Sequence, residues 1–187
     1  MINNETSGNL HFLTGSGPTE RMRIQSDGKI GVNTTSAYSI LTAYGENRTD
    51  TGSATGQITA KDNAAYNANP TAGIIFQGLY HSNGATAVFG GVTGFKENAT
   101  EGEYGGALAF HSRTNGSVAA ERMRLDANGR LLIGTTTEGH SNADDLTIAN
   151  TANTGITIRS GTSNDGNIFF SDATSGDGET KGTIKYN

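Results

Sequence analysis

Carboxylates are the residues of this chain that could most readily do chemistry. Glu101, Glu103 or Asp165 could act on a polysaccharide if two of them lay at the separation that glycoside hydrolysis requires, but their spacing indicates no such pair. Asp144 and Asp145 are adjacent, and adjacent residues of a strand point to opposite faces. These two carboxylates therefore could not readily share a substrate.

Histidines and serines give no stronger signal of catalysis. The four histidines, His11, His81, His111 and His140, show no metal-ligand spacing with one another. No serine is framed as a nucleophile elbow, and the Gly-rich stretch TGSATG lacks the lysine and the helix of a phosphate-binding loop. We expect no catalytic residue, no metal and no cofactor, and we predict that the chain is not an enzyme.

The composition limits the class of protein. Only 33% of the residues are hydrophobic and 7% are aromatic, with 27 glycines, which is little for a monomer that must build one compact core. The net charge of -5 without a basic cluster argues against nucleic acid as a partner. No apolar run approaches roughly 18 residues, so we expect no membrane insertion. Without cysteine, no disulfide can stabilise the fold, and an obligate oligomer or an elongated repeat protein fits best.

One stretch of the sequence is written twice, as ERMRIQSDGKIGVNTT from Glu20 and as ERMRLDANGRLLIGTTT from Glu121. Apolar residues alternate on both sides of a polar turn, which indicates a β-hairpin. A two-residue turn would place the apolar residues of the two strands on opposite faces. A three-residue loop that ends in glycine, with a G1 bulge, places them on one face, so that Ile24 lies opposite Ile30 and Leu125 opposite Leu131.

The predicted hairpins therefore each have one apolar face that needs cover from neighbouring strands or chains. The residues of these two faces, with their turn glycines, are Met22, Ile24, Gly28, Ile30 and Val32 in the first copy and Met123, Leu125, Gly129, Leu131 and Ile133 in the second. The same parity turns Arg23 and Arg124 to the other face. Glu20 and Glu121 share the parity of the apolar face but lie at its end. There they could meet an arginine of another strand or chain, or be solvated.

The two copies are 101 positions apart, both from Glu20 to Glu121 and from Gly28 to Gly129. Weaker likenesses link GQITAKD with TGITIRSG, and GIIFQG with NIFFSD. The predicted organisation is the C-terminal part of one repeat at residues 1–37, a complete repeat of about 101 residues at 38–139 and the N-terminal part of a third at 140–187. We therefore expect an excerpt of a longer array.

Short apolar stretches bounded by turn residues predict further strands and an all-β fold, as a small sandwich or an interleaved β-prism. The predicted strands are Leu41 to Tyr44, Gln57 to Thr59, Ile74 to Phe76, Ala87 to Val92 and Leu108 to Phe110. The connections 61–70 and 93–106 are interpreted as loops that could bind a glycan, or whose aromatic residues pack under the loops or against another chain. The residues concerned are Tyr66, Phe95, Lys96 and Tyr104.

The string ERMRI, the polar turn ending in glycine and the exit into Thr-Thr resemble a repeat of tail-fibre and other appendage proteins of tailed bacteriophages. The stretch from Asn167 to Asn187 is similar to the strand pair that precedes ERMRI in such fibres. The sequence departs from the pattern at Asn33, where the family usually has glycine. No proline follows Thr-Thr at Ser36 or Thr137, so the exit from the hairpin could differ.

The resemblance implies an elongated, all-β homotrimeric fibre segment built from short-strand repeats and bulged hairpins. It implies a virion structural protein, assembled in the cytoplasm of a bacterial host, whose partners are other virion proteins and a host cell-surface glycan or other receptor. Attachment of this kind needs no catalysis, because several weak contacts act together. The alternatives are a polysaccharide-degrading tailspike and a cellular or prophage adhesin with the same repeat.

Overall fold

The computed structural model describes residues 2–4, 8–15, 17, 19–37, 39–43, 58–171, 173–176 and 182–186. These residues form thirteen β-strands and one short 3-10 turn, Tyr66–Ala68, so the described part of the chain is all-β as expected. Across the described ranges no helix has the length and apolar character to cross a membrane. The chain divides into two compact units, Met1–Asn63 and Ala64–Asn187.

The first unit contains one five-stranded sheet in which each strand lies beside the next strand of the chain. Its strands are β1 (Ile2–Asn4), β2 (Leu10–Thr14), β3 (Thr19–Ile24), β4 (Ile30–Val32) and β5 (Leu41–Ala43). Neighbouring strands are antiparallel except for β4 and β5, which are parallel. The predicted strand at 41–44 is confirmed as β5, and Tyr44 lies outside the described residues.

The second unit contains a six-stranded sheet and a separate antiparallel strand pair. The sheet strands are β6 (Thr71–Leu79), β7 (Thr86–Lys96), β8 (Gly106–Arg113), β9 (Ala119–Leu125), β10 (Leu131–Ile133) and β11 (Leu146–Ile148), and the pair is β12 (Gly166–Phe170) with β13 (Gly182–Tyr186). The strands predicted at 74–76, 87–92 and 108–110 are confirmed as parts of β6, β7 and β8. Residues 58 and 59 lie in no strand, and Gln57 lies outside the described residues.

The two sheets repeat one topology. Strands β1 to β5 follow the order and pairing of β7 to β11, including the parallel pair at the end. The pair β12–β13 matches β6–β7 as an antiparallel hairpin. By hydrogen bonding, β5 and β11 belong to the sheet before them, so each sheet extends past the repeat boundaries at residues 37 and 139 that the sequence suggested. The division into repeats remains a prediction.

Both copies of the repeated hairpin turn through a three-residue loop, as expected. The Gly28 N–H donates to the Gln25 carbonyl and the Gln25 N–H to the Lys29 carbonyl, both at 2.8 Å. Asp126, Gly129 and Arg130 repeat this arrangement in the second copy. The turn glycines, Gly28 and Gly129, have φ values of 84° and 82°, in the left-handed region that glycine adopts without strain. The expected register is confirmed, with Ile24 opposite Ile30 and Leu125 opposite Leu131.

A β-bulge in each hairpin corrects the expected position of the glutamates. The pairing of β2 with β3 steps from Met22 to Glu20, and that of β8 with β9 steps from Met123 to Glu121, so Arg21 in β3 and Arg122 in β9 are the extra residues of the two bulges. An extra residue reverses the alternation of side chains beyond it. Glu20 and Glu121 therefore lie on the face of Arg23 and Arg124, and not on the apolar face.

The backbone at the exit from the hairpin is the same in both copies, with Asn33 in one and Gly134 in the other. Asn33 has a φ of 54° and the corresponding Gly134 a φ of 74°. The Asn33 N–H donates to the Arg21 carbonyl at 2.8 Å, and the Gly134 N–H donates to the Arg122 carbonyl at 2.9 Å. Asparagine is one of the few residues besides glycine that tolerates this conformation. Asn33 thus replaces the glycine of the pattern without changing the backbone path.

Candidate assembly surface

Two rows of apolar residues cross all six strands of the larger sheet on one face. Each residue lies directly opposite the next one across the ladder, so the rows are continuous. We call this surface the apolar face. Its first row is Ala72, Gly94, Leu108, Leu125, Leu131 and Leu146, and its second row is Ile74, Val92, Phe110, Met123, Ile133 and Ile148.

Within the described residues the apolar face stays at least partly exposed. Ile74 is 59% exposed, Leu146 is 50% exposed and Leu125 is 44% exposed, and none of the twelve residues is buried. The first sheet has two apolar rows of its own, and no side chain in them is buried. Those rows are Leu10, Ile24, Ile30 and Leu41, followed by Phe12, Met22, Val32 and Ala43. A sandwich folded within one chain would bury this surface.

The opposite face of the larger sheet is covered by local structure. Ala107, Ala109 and Leu132 are buried there, and Leu132 is the largest fully buried side chain of the described residues. The segment between β10 and β11 crosses this side, because the Gly139 N–H donates to Thr147 Oγ1 at 2.9 Å and Thr147 lies opposite Leu132. The two faces of the sheet therefore differ. We call the face of Ala107, Ala109 and Leu132 the closed side, and the apolar face is the more exposed one.

An ion pair on the closed side recurs in both copies. Arg23 binds both carboxylate oxygens of Glu20, and Arg124 binds both of Glu121. The Arg23 and Glu20 side chains are only 15% and 21% exposed, so the solvated alternative is wrong. The partner is an arginine of the same strand, because the bulge places both residues on one face. The sequence could not reveal this, since a regular strand would separate them.

These pairs shift the ionisation of their members. Hydrogen bonding to Arg23 lowers the pKa of Glu20 to about 2, although burial opposes the shift, and the His11 ring contributes through a 2.7 Å contact between its Nδ1 and Glu20 Oε2. Hydrogen bonding to Glu121 raises the pKa of Arg124. The Arg124 guanidinium also lies 5.1 Å from the centre of the Phe95 ring, a cation–π contact. The Glu20 carboxylate and the Arg124 guanidinium are thus both charged members of ion pairs within their sheets.

The second hairpin turn carries an additional ionic cluster. Arg130 Nε lies 2.7 Å from Asp126 Oδ2, and Arg130 Nη1 lies 3.1 Å from Asp144 Oδ2. Burial raises the pKa of Asp126, but hydrogen bonds from the backbone N–H and guanidinium of Arg130 and from the Asn128 N–H outweigh it, so the pKa lies below its usual range. Asp126 and Asp144 are thus both ion-pair partners of Arg130.

Two of the four residues predicted to bind a glycan lie in a strand instead of a loop. Phe95 and Lys96 end strand β7, so the loop is 97–105 and not 93–106. Phe95 packs against Arg124, while Lys96 Nζ donates to the Asn98 and Thr100 carbonyls at 2.6 and 2.9 Å. The placement of these two residues in a loop is wrong, because strand pairing holds them, and their glycan binding stays a prediction.

Tyr104 and Tyr66 remain outside the sheets as predicted. Tyr104 is 95% exposed in the loop between β7 and β8, and Tyr66 begins the exposed 3-10 turn before β6. An open cavity of about 340 Å³ near the β6–β7 and β8–β9 turns is lined by Tyr80, Phe89 and Arg113, and sequence reasoning missed it. Phe89 lies at a bulge in the pairing of β6 with β7. No local sequence pattern predicts this bulge.

The remaining candidates for chemistry are dispersed. Glu101 and Glu103 are exposed in the β7–β8 loop, and Asp165 is exposed just before β12. The His111 Nε2 lies 2.8 Å from Thr93 Oγ1, a contact within the sheet. Among the residues that the structure covers, no three His, Asp or Glu side chains converge as metal ligands. The feature that recurs in both units is thus the apolar face with its ion pair.

Comparison of the sequence with protein-family models and with curated proteins gives no match.

Proposed function

We propose that this chain is a structural and receptor-binding segment of a homotrimeric bacteriophage fibre, which attaches to a host surface without catalysis. The observation that carries the proposal is the apolar face, which continues across six strands and has no buried residue among its twelve. The same rows recur in the first sheet. A surface of this kind fits burial against other copies.

The balance of buried surface supports association. Among the described residues only four hydrophobic side chains are buried, and three of them are alanines. The larger sheet alone offers ten larger apolar side chains on its open face. Covering their exposed parts would contribute on the order of 10 kcal/mol per chain, which is comparable to the whole stability of a typical domain. Association with further copies would therefore supply most of the core.

A threefold arrangement fits this sheet. Three sheets that each turn one apolar face inward can share a common core around an axis while their closed faces meet solvent. The resemblance to phage fibre repeats implies the same number of chains. Each repeat of this sheet topology along the chain would then add a further length of shared core. An assembly that grows in this way would be a stiff rod.

Sedimentation of the purified chain tests the assembly. We expect trimers at micromolar concentration, and we expect Phe110→Lys to dissociate them, because it places a charge in the middle of the apolar face. Val118→Lys is the matched control, since Val118 is exposed in the loop between β8 and β9. A monomeric wild-type chain, or a Phe110→Lys variant that remains fully trimeric, contradicts the proposal. A dimer contradicts the threefold arrangement.

Receptor binding is tested separately on host cells. Tyr104 is the most exposed aromatic residue described, and an aromatic ring beside polar groups suits a sugar. We expect Tyr104→Ala to weaken adhesion of the trimer while leaving its sedimentation unchanged. Incubation with host polysaccharide should release no reducing sugar. Release of sugar that is lost on substitution of Glu101 or Glu103 would favour the tailspike alternative.

A further inference from the structure

The outer edge of β6 has features that burial of the apolar face does not explain. β6 is the end strand of the six-stranded sheet and is nine residues long. Ile75 projects from the side opposite the apolar face, as the neighbour of Ile74 in a regular part of the strand, and is 62% exposed. Contacts made by the apolar face alone would leave Ile75 in solvent.

This edge also lacks two of the usual protections against pairing, short length and charge, although a bulge at Phe89 of β7 interrupts its pairing with β7. Between Pro70 and Tyr80 there is no charged residue, and no proline interrupts the strand. Natural end strands are normally short, charged, bulged away or covered, because their free N–H and C=O groups otherwise attract another strand. The opposite end of the same sheet follows that rule, since β11 has three residues and directly follows Asp144 and Asp145.

The repeat reproduces the feature. β12 occupies the place of β6 in the next strand pair, and its Phe169 and Phe170 are adjacent and both more than half exposed. Adjacent residues of a strand lie on opposite faces, so β12, like β6, is apolar on both sides. Two equivalent strands with this property indicate a recurring function of the edge.

We propose that the outer edge of β6 pairs with a strand of a second copy of this chain, so that the sheets of neighbouring subunits are joined by backbone hydrogen bonds. A strand of about nine residues spans roughly 30 Å and covers far less than the roughly 800 Å² per partner that a stable complex needs. A foreign protein held only by this edge would bind weakly. A second copy is already held at the apolar face, so the inference rests on the proposed assembly.

The chain also offers a segment of the required chemistry. Residues 154–158, TGITI, are uncharged and belong to no sheet in the structure as described. Ile156 and Ile158 alternate there as in a strand, and both are at least half exposed. Such a segment from a second copy matches an uncharged, apolar edge, whereas a charged partner would find no counter-charge on β6.

Sedimentation of Ile75→Lys tests the pairing, with Val118→Lys as the matched control. Ile75 does not belong to the apolar face, so face contacts alone predict wild-type association for this variant. Edge pairing predicts association weakened at least about tenfold, because a lysine on an end strand opposes the addition of another strand. Circular dichroism should show an unchanged fold, since Ile75 is exposed. Wild-type association of Ile75→Lys overturns the inference.

Hydrogen exchange on the wild-type assembly gives a second, independent readout. In an end strand roughly half of the amides point away from the sheet and exchange quickly, whereas a strand with neighbours on both sides is protected throughout. We expect nearly complete protection over Thr71–Leu79 in the trimer. A trimer in which about half of these amides exchange rapidly overturns the edge pairing and leaves the proposed function intact. A wild-type monomer overturns both.

Discussion

Replacement of Glu20 by Gln should remove much of the acid sensitivity of the first sheet. Arg23 donates hydrogen bonds from Nε and Nη2 to the two carboxylate oxygens of Glu20, and these bonds, with a smaller contribution from His11, lower the pKa of Glu20 from 4.5 to about 2 against the opposing effect of burial. Because the pKa is lower in the fold than in the unfolded chain, the stabilisation is complete above about pH 4.5. It is lost as the pH falls from there through about 2.

The size of the effect follows from the same two values. The difference between 4.5 and about 2 corresponds to at most about 3 kcal/mol of unfolding free energy. The Glu20 side chain retains 21% exposure, so screening by solvent reduces the expected contribution to about 1–2 kcal/mol. Glu20→Gln should lose this amount at pH 7, and between pH 5 and pH 2 it should lose less stability than the wild type by about the same amount.

Denaturant unfolding between pH 2 and pH 7 measures this difference directly. Glu101→Gln is the control, since Glu101 is exposed in the loop between β7 and β8 and should keep the wild-type pH dependence. The reasoning is refuted if Glu20→Gln loses stability between pH 5 and pH 2 as steeply as the wild type does. It is also refuted if Glu101→Gln flattens the curve equally.

Three further substitutions probe the folded sheets by urea unfolding. Leu132→Ala should cost about 2–5 kcal/mol, because it leaves a cavity at the largest fully buried side chain, and a cost below about 1 kcal/mol would contradict that burial. Asn33→Val should cost about 1–2 kcal/mol at its φ of 54°, while Asn33→Gly stays near neutral; equal costs would argue against a left-handed exit. Asp126→Asn should cost about 1–2 kcal/mol near pH 7, because the variant keeps the shape but loses the charge beside Arg130, and this difference should shrink in acid as the wild-type carboxyl protonates. A difference that persists unchanged at pH 2 would argue against the charged pair.

The hairpins could be predicted from the sequence because their determinants are local. The choice between a two-residue and a three-residue turn depends on the parity of Met22, Ile24, Ile30 and Val32 and on the glycine of the turn. All of these residues lie within one short stretch. The apolar face of each hairpin, and thus part of the candidate assembly surface, followed from the same alternation.

The features that the sequence did not reveal depend on pairing with strands outside the repeated stretch. The bulge that brings Glu20 to Arg23 exists only in the pairing of β3 with β2. The parallel pairing of β4 with β5 likewise needs a return segment whose path no turn motif specifies. Phe95 was interpreted as a loop residue because polar residues surround it, but pairing with β8 and the Arg124 contact extend β7 through it.

The identical ladder register of the two hairpins has a consequence for how such a chain can change in length. Glu20 and Glu121 occupy the same position beside the same bulge, so joining residue 20 directly to residue 122 would recreate one continuous strand with its side chains on their original faces. Recombination between the copies would therefore delete or add a whole repeat without moving the side chains of the hairpin to the opposite face of the sheet. A junction displaced by a single residue would change the number of residues at the bulge and would shift the side chains on one side of it to the opposite face of that strand.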